Sequence, residues 1–283
     1  MYPTWEELLG WPVRVDTHAT FVALGLAVAG FVMWRESTRR ALTSDHLLYT
    51  VAGALAGGAL FMRLGTWLRH LDLRQNASLV EQWSYGNRSI IGGLLGAWIG
   101  VHVVKRLIGM RERTGDIYAP AVAAGMAIGR IGCLLTETPG TACPMCALGA
   151  PCLEGRGLCG LGLVLDTATA ERLGAPAGVA LHASFGYEIA FHLIAFAVLW
   201  GYLRYRPIPP GETFVLYVGG YAVFRFFVEF VRGNEVVAAG LTRPQLVLAV
   251  TIPLLLWRLW RQARRGDFDA LKPHTNPALE VAR

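Results

Sequence analysis

Long apolar runs separated by short polar and basic segments dominate this chain. Seven of them, at approximately 18–34, 46–64, 89–104, 117–136, 186–203, 212–231 and 244–260, approach the roughly 20 residues needed to cross a ~30 Å hydrocarbon core. The fourth is built from Ala and Gly rather than Leu. Glycines recur at helical spacing in Gly53, Gly57, Gly58 and in Gly92, Gly93, Gly96, Gly100, which suits helices that approach closely in lipid. The pattern predicts an all-α integral membrane protein of about seven transmembrane helices. Residues 1–265 would form the membrane domain and 266–283 a polar, Pro-containing tail.

Composition excludes a soluble domain. Only 16% of the residues are charged, where a soluble chain carries about a quarter. The first 17 residues, MYPTWEELLGWPVRVDT, lack a basic start, an apolar core and a small-residue cleavage site. The first helix is therefore expected to act as the insertion signal. Lys and Arg are densest beside one set of helix ends: Arg35, Arg39, Arg40, Lys105, Arg106, Arg111, Arg113, Arg204, Arg206, Arg258, Arg261, Arg264 and Arg265. By the positive-inside rule those ends face the cytoplasm, with the N-terminus outside and the C-terminus inside. The net charge of +6 then reflects topology and gives no reason to expect nucleic acid. The basic run RLWRQARR after the last helix suits anionic headgroups.

This orientation makes 65–88 and 137–185 extracytoplasmic. The second holds four of the five cysteines, Cys143, Cys146, Cys152 and Cys159. In an oxidising compartment such cysteines pair as disulfides that staple a loop. A tetrahedral zinc site built from the same thiols is an alternative, and redox-active thiols are another.

Ionisable residues at membrane depth are expensive, and they are tolerated beside a cavity or a partner. Arg130 lies in Gly129-Arg130-Ile131-Gly132 near the end of the fourth run. Arg225, Glu229 and Arg232, at spacings of four and three, share one face of the sixth. His182, Tyr187 and Glu188 open the fifth, and Asp16 and His18 open the first. Arginines at one depth suit a phosphate, because a guanidinium presents fixed donors that match phosphate oxygens. In a bilayer such phosphates belong to phospholipids. The competing reading is structural: Arg225 pairs internally with Glu229, and Arg130 caps carbonyls.

These segments resemble those of the prolipoprotein diacylglyceryl transferases, seven-helix bacterial enzymes. Their His-Gly-Gly, Gly-Arg-Ile-Gly-Asn, His-Pro-Ser-Gln-Leu-Tyr-Glu and Arg-x-x-x-Glu-x-x-Arg segments correspond here to four stretches in the same order. These are Ile91-Gly92-Gly93, Gly129-Arg130-Ile131-Gly132-Cys133, His182-Ala183-Ser184-Phe185-Gly186-Tyr187-Glu188 and Arg225…Glu229…Arg232. The resemblance implies a multi-pass protein of the bacterial cytoplasmic (inner) membrane. It would move the diacylglyceryl group of phosphatidylglycerol, or of another anionic phospholipid, onto the thiol of a lipobox-bearing precursor. Glycerol phosphate would be released, with no metal or organic cofactor required. Arg130 and Arg225 match the phosphate-binding arginines, and Glu229 would orient Arg225. Arg232, Tyr187, Glu188, Gly92 and Gly93 would line the substrate site, with Asp16, His18 and Glu137 beside them.

The departures are specific. Ile91 stands where the family has a proposed base, Cys133 replaces the Asn, and Thr136-Glu137 replaces Asn-Gly-Glu. Phosphate handling is kept while acceptor activation is altered. Either the base has moved to His182, His18 or Asp16, or the acceptor is different. Two other readings stay open: a non-catalytic phospholipid-binding or lipid-transport protein, and a membrane thiol–disulfide protein.

Accessibility tagging of single cysteines tests the orientation. Positions 39, 111 and 206 should label from the cytoplasmic side and positions in 137–185 from the other. The reverse pattern overturns the orientation.

Overall fold

The computed structural model describes residues 2–10, 12, 15–42, 45–69, 90–143 and 162–271. In chain order its helices are α1 (Trp5–Leu9), α2 (Thr17–Arg39), α3 (Asp45–Arg69), α4 (Ile90–Leu107), α5 (Gly115–Thr136), α6 (Thr167–Leu173), α7 (Ser184–Gly201), α8 (Glu212–Val228) and α9 (Arg243–Arg264). Among the described residues, six segments are long and apolar enough to cross a bilayer: Thr17–Arg39, Asp45–Leu64, Gly115–Thr136, Ser184–Tyr205, Glu212–Val231 and Arg243–Arg264. Helix α4, of 18 residues, occupies the remaining apolar stretch. The burial pattern fits lipid. Leu26, Phe31, Ile194, Val250 and Leu254 are exposed, while Arg130, Glu188 and Glu229 are buried. In water that surface would be a large apolar patch; in a bilayer it is the solvated face. The chain is an all-α integral membrane protein.

It divides into two compact units, residues 36–113 and residues 1–35 with 114–283. In the first, α3 packs antiparallel on α4 through glycines. A Cβ on Gly57 would overlap the Gly96 carbonyl, and one on Gly100 would overlap that of Gly53. Gly93 lies against Met62. These glycines are spaced for packing, which in lipid must supply the association that apolar burial supplies in water.

In the second unit the Ala- and Gly-rich α5 is the central helix. Its span is 56% buried, against at most 39% for the other spans. Small side chains follow from that position. Ala119 and Ala123 meet Leu199 of α7 and Tyr217 of α8, and Ala121 and Ala124 meet Val32 of α2. A Cβ on Gly25 would stand only 2.7 Å from the Gly125 carbonyl oxygen, so α2 and α5 cross backbone to backbone. The low leucine content of α5 marks a helix enclosed by other helices.

Two short antiparallel ribbons cap this unit. Strands β1 (Gly162–Val164) and β2 (Ala180–His182) pair with Gly162 opposite His182. β3 (Val236–Ala238) pairs with β4 (Leu241–Thr242). Leu165, Ala170 and Leu181 form a small apolar cluster beneath the first ribbon. Asp166 caps α6 by accepting from the Thr169 backbone N–H at 3.0 Å. Hydrogen bonds from Thr169 hold the Asp166 carboxyl below its ordinary pKa. Cys143 is buried and disulfide-bonded; Cys146, Cys152 and Cys159 lie outside the described residues, as does most of the 65–88 segment.

The glycine interface gives a stability test. Gly57→Val must push α3 from α4 and should cost about 1–3 kcal/mol, the usual range for overpacking. A Cβ on Gly30 would meet nothing within 4 Å, so Gly30→Ala should hold or raise stability by helix propensity. Thermal unfolding in detergent reads both; a silent Gly57→Val contradicts the packing role.

Candidate active site

Helix ends assemble the site. Arg130 comes from the last two turns of α5 and Glu188 from the first of α7. Arg225 lies in the last turn of α8, and Glu229 begins the 3-10 turn Glu229–Val231 that follows. Glu188 is fully buried, and three guanidiniums surround it. Its Oε2 lies 2.7 Å from Arg130 Nε, and its Oε1 lies 3.9 Å from Arg225 Nε. Oε1 also accepts from Arg232 Nη1 at 2.8 Å, and Oε2 accepts from the Tyr221 hydroxyl at 3.3 Å. Phe185 supports the group from α7, with Arg232 stacked over its ring at 4.5 Å and Arg130 at 5.9 Å.

Glu229 is the second anchor. It pairs with Arg225 and accepts from Asn234 Nδ2 at 2.5 Å and from the Thr242 hydroxyl at 3.0 Å. Thr242 is also the N-cap of α9, where it forms a capping box with Gln245. Gln245 in turn donates to the Phe226 carbonyl at 3.1 Å. The start of α9 and the end of α8 are thereby tied to the carboxylate that aims Arg225.

Among the buried groups three guanidiniums face two carboxylates, which leaves one surplus positive charge, with the half-exposed Glu137 carboxylate near Arg232. Arg130 Nη2 is buried without a hydrogen bond of good geometry, although the Tyr221 hydroxyl stands beside that guanidinium. Beside the cluster lies a cavity of about 530 Å³ lined by Glu137, Thr138, Thr141, Phe185, Arg232 and Asn234 among others. Burial pushes the Arg232 guanidinium below its ordinary pKa, against the pull of Glu188.

The structure therefore brings together Arg130, Arg225, Arg232, Glu188 and Glu229. The internal Arg225–Glu229 pair exists, and it belongs to the cluster rather than competing with it. His182 sits in β2 and its Nδ1 lies 3.1 Å from the Tyr187 hydroxyl. Asp16 is exposed and caps α2, accepting from the Ala19 N–H at 2.6 Å. His18 Nδ1 lies 3.8 Å from both Cys133 Sγ and Glu137 Oε1. Gly92 and Gly93 belong to the other unit, and the Ile91 side chain lies outside the described residues. Sequence reasoning missed Tyr221, Asn234, Thr242 and Phe185. Tyr221 alone had a usable signal, standing one helical turn before Arg225 on the same face.

With this geometry in place, comparison with known proteins is decisive. Residues 7–261 match the profile of the prolipoprotein diacylglyceryl transferases. The chain belongs to this family. A phosphatidylglycerol–prolipoprotein diacylglyceryl transferase of Dehalococcoides mccartyi is 29% identical over 263 residues, which cover 88% of this chain and 91% of that one. One from Geobacillus kaustophilus is 27% identical, covering 88% of each chain. Another from Staphylococcus aureus is 23% identical over 87% of this chain and 86% of its own.

Removing the hub should be costly. Glu188→Gln strips the buried arginines of their partner, and breaking a buried pair from one side costs about 3–5 kcal/mol. The exposed Arg172–Glu7 pair, at 3.4 Å, should be worth less than about 1 kcal/mol. Unfolding in detergent compares Glu188→Gln with Arg172→Gln; equal effects would mean that Glu188 is not the hub.

Proposed function

We propose that the cluster binds the phosphate of phosphatidylglycerol and that the protein transfers the diacylglyceryl group to the cysteine thiol of a prolipoprotein. The observation that carries this reading is the surplus positive charge buried around Glu188, next to an open cavity, in a member of this transferase family. A phosphodiester carries one negative charge, which matches that surplus. The relatives' names supply the two substrates, phosphatidylglycerol and a prolipoprotein. Transfer forms a C–S bond from the acceptor thiolate to a glyceryl carbon and breaks the C–O bond to phosphate. The electron pair stays on the departing glycerol phosphate. Arg130 and Arg225 hold the phosphate and stabilise that charge as it grows, where fixed donors act most strongly. Glu188 and Glu229 keep the guanidiniums in place between turnovers, and Arg232 borders the cavity through which the headgroup enters. The orientation read from Lys and Arg supports this end of the bundle facing outward from the bacterial inner membrane, on the side where prolipoproteins emerge. A passive lipid-binding protein would need no leaving-group stabilisation, and that distinguishes it by experiment.

Phosphatidylglycerol and a lipobox peptide, incubated with the purified protein, should yield glycerol phosphate and a peptide heavier by the diacylglyceryl group. Arg130→Lys and Arg225→Lys keep charge but lose the fork. Each should slow turnover at least about tenfold, or ~1.4 kcal/mol, while the exposed Arg106→Lys does little. Binding of the lipid with no glycerol phosphate released would replace this reading with the non-catalytic one.

A further inference from the structure

His18, Cys133 and Glu137 form a second cluster that the phosphate site does not use. Their ligand atoms all lie within 4.8 Å of one another. Two elements build it. Cys133 is buried at the end of α5, Glu137 follows the helix end, and His18 reaches across from the first turn of α2. The close crossing is set by Gly132, where a Cβ would stand 3.2 Å from the His18 backbone. Cys133 is a free thiol, and Arg130 Nη1 lies 3.7 Å from its sulfur.

We propose that these three side chains bind a zinc ion with one open position, and that this position receives the acceptor thiol. Thiolate, imidazole and carboxylate are all zinc ligands, and three protein ligands with a fourth position free is the pattern of reactive rather than structural zinc. The spacing fits. Zn–S of about 2.3 Å and Zn–N and Zn–O of about 2.0–2.2 Å at tetrahedral angles place sulfur about 3.6 Å from nitrogen and nitrogen about 3.4 Å from oxygen. The corresponding separations here are both 3.8 Å, and the sulfur lies within 4.8 Å of the Glu137 carboxylate, so a small side-chain motion closes the site. The half-exposed His18 and Glu137 supply that motion. Cys133 and Glu137 neutralise the ion, and Arg130, already paired with Glu188, borders the sulfur.

The second half of the proposal rests on the acceptor reading above. A thiol of pKa near 8.5 is mostly protonated at neutral pH, and this chain has Ile91 where the family has its proposed base. A coordinated thiol is deprotonated outright. The acceptor S–H would displace a water from the ion and give its proton to solvent. The bound sulfur then supplies the electron pair for the new C–S bond, and the C–O pair leaves on glycerol phosphate as before. The site thus departs from the expectation that no metal is needed.

Cobalt is the probe, added to the full-length purified protein without reductant so that disulfides stay intact. One cobalt per chain with a sulfur-to-cobalt charge-transfer band is expected. Cys133→Asn and Cys133→Ser should abolish the band, and His18→Ala, at a half-exposed position that spares the core, should weaken binding at least tenfold. No band, or a band unchanged in Cys133→Asn and His18→Ala, overturns the site. A lipobox peptide should shift the band, and its Cys→Ser counterpart should not. If the metal-free protein converts the cysteine peptide as fast as the zinc-loaded one, the thiol-activating role is wrong while the transferase reading stands. If the band is present and metal-loaded protein with phosphatidylglycerol leaves the peptide unconverted, the acceptor reading fails and the metal site survives it.

Discussion

A carboxylate enclosed in a membrane bundle must be neutralised, and Glu188 is neutralised by arginines drawn from more than one helix. Arg130 on α5, Arg225 on α8 and Arg232 just beyond α8 all converge on it. A single buried acidic group therefore fixes the relative positions of α5, α7 and α8 at one end of the unit. The arrangement is over-determined for a structural ion pair, since one guanidinium would balance one carboxylate. Even with Glu229 counted, the buried groups leave one positive charge over in a place where lipid phosphate is the abundant anion.

The same end of the bundle ties stability to chemistry through Glu229. Its partners Asn234 and Thr242 are neutral, and Thr242 also caps α9. A change at that cap would alter how Arg225 is aimed without touching substrate. Small residues do the complementary work along the helices: the Gly25–Gly125 and Gly132–His18 approaches let α2 lie close enough to bring His18 beside Cys133.

The apolar runs were readable because lipid imposes a length and a composition on whatever crosses it. The charged members of the site were readable for the converse reason, that each is costly where it stands. What could not be read was the direction of each interaction. Spacing placed Arg225, Glu229 and Arg232 on one helix face, yet the helix gives way to a 3-10 turn at Glu229, and Arg232 turns to Glu188 rather than to Glu229. Asn234 and Thr242 gave no signal, because a neutral polar side chain is unremarkable in a loop or at a helix cap. The contact of Cys133 with His18 spans 115 positions, and no local pattern announces a pair so far apart. The Ala-rich run at 117–136 looked least like a lipid-facing helix because it is the enclosed one.

The central claim is that the Glu188-centred arginines hold a phospholipid phosphate. A structure of the protein with bound phosphatidylglycerol tests it most directly. The expected result places the phosphate oxygens about 2.7–2.9 Å from guanidinium nitrogens of Arg130 and Arg225, the distance of charge-assisted hydrogen bonds, with the glycerol headgroup toward the cavity at Arg232. A phosphate bound elsewhere, with all three guanidiniums still closed on Glu188, would contradict the claim.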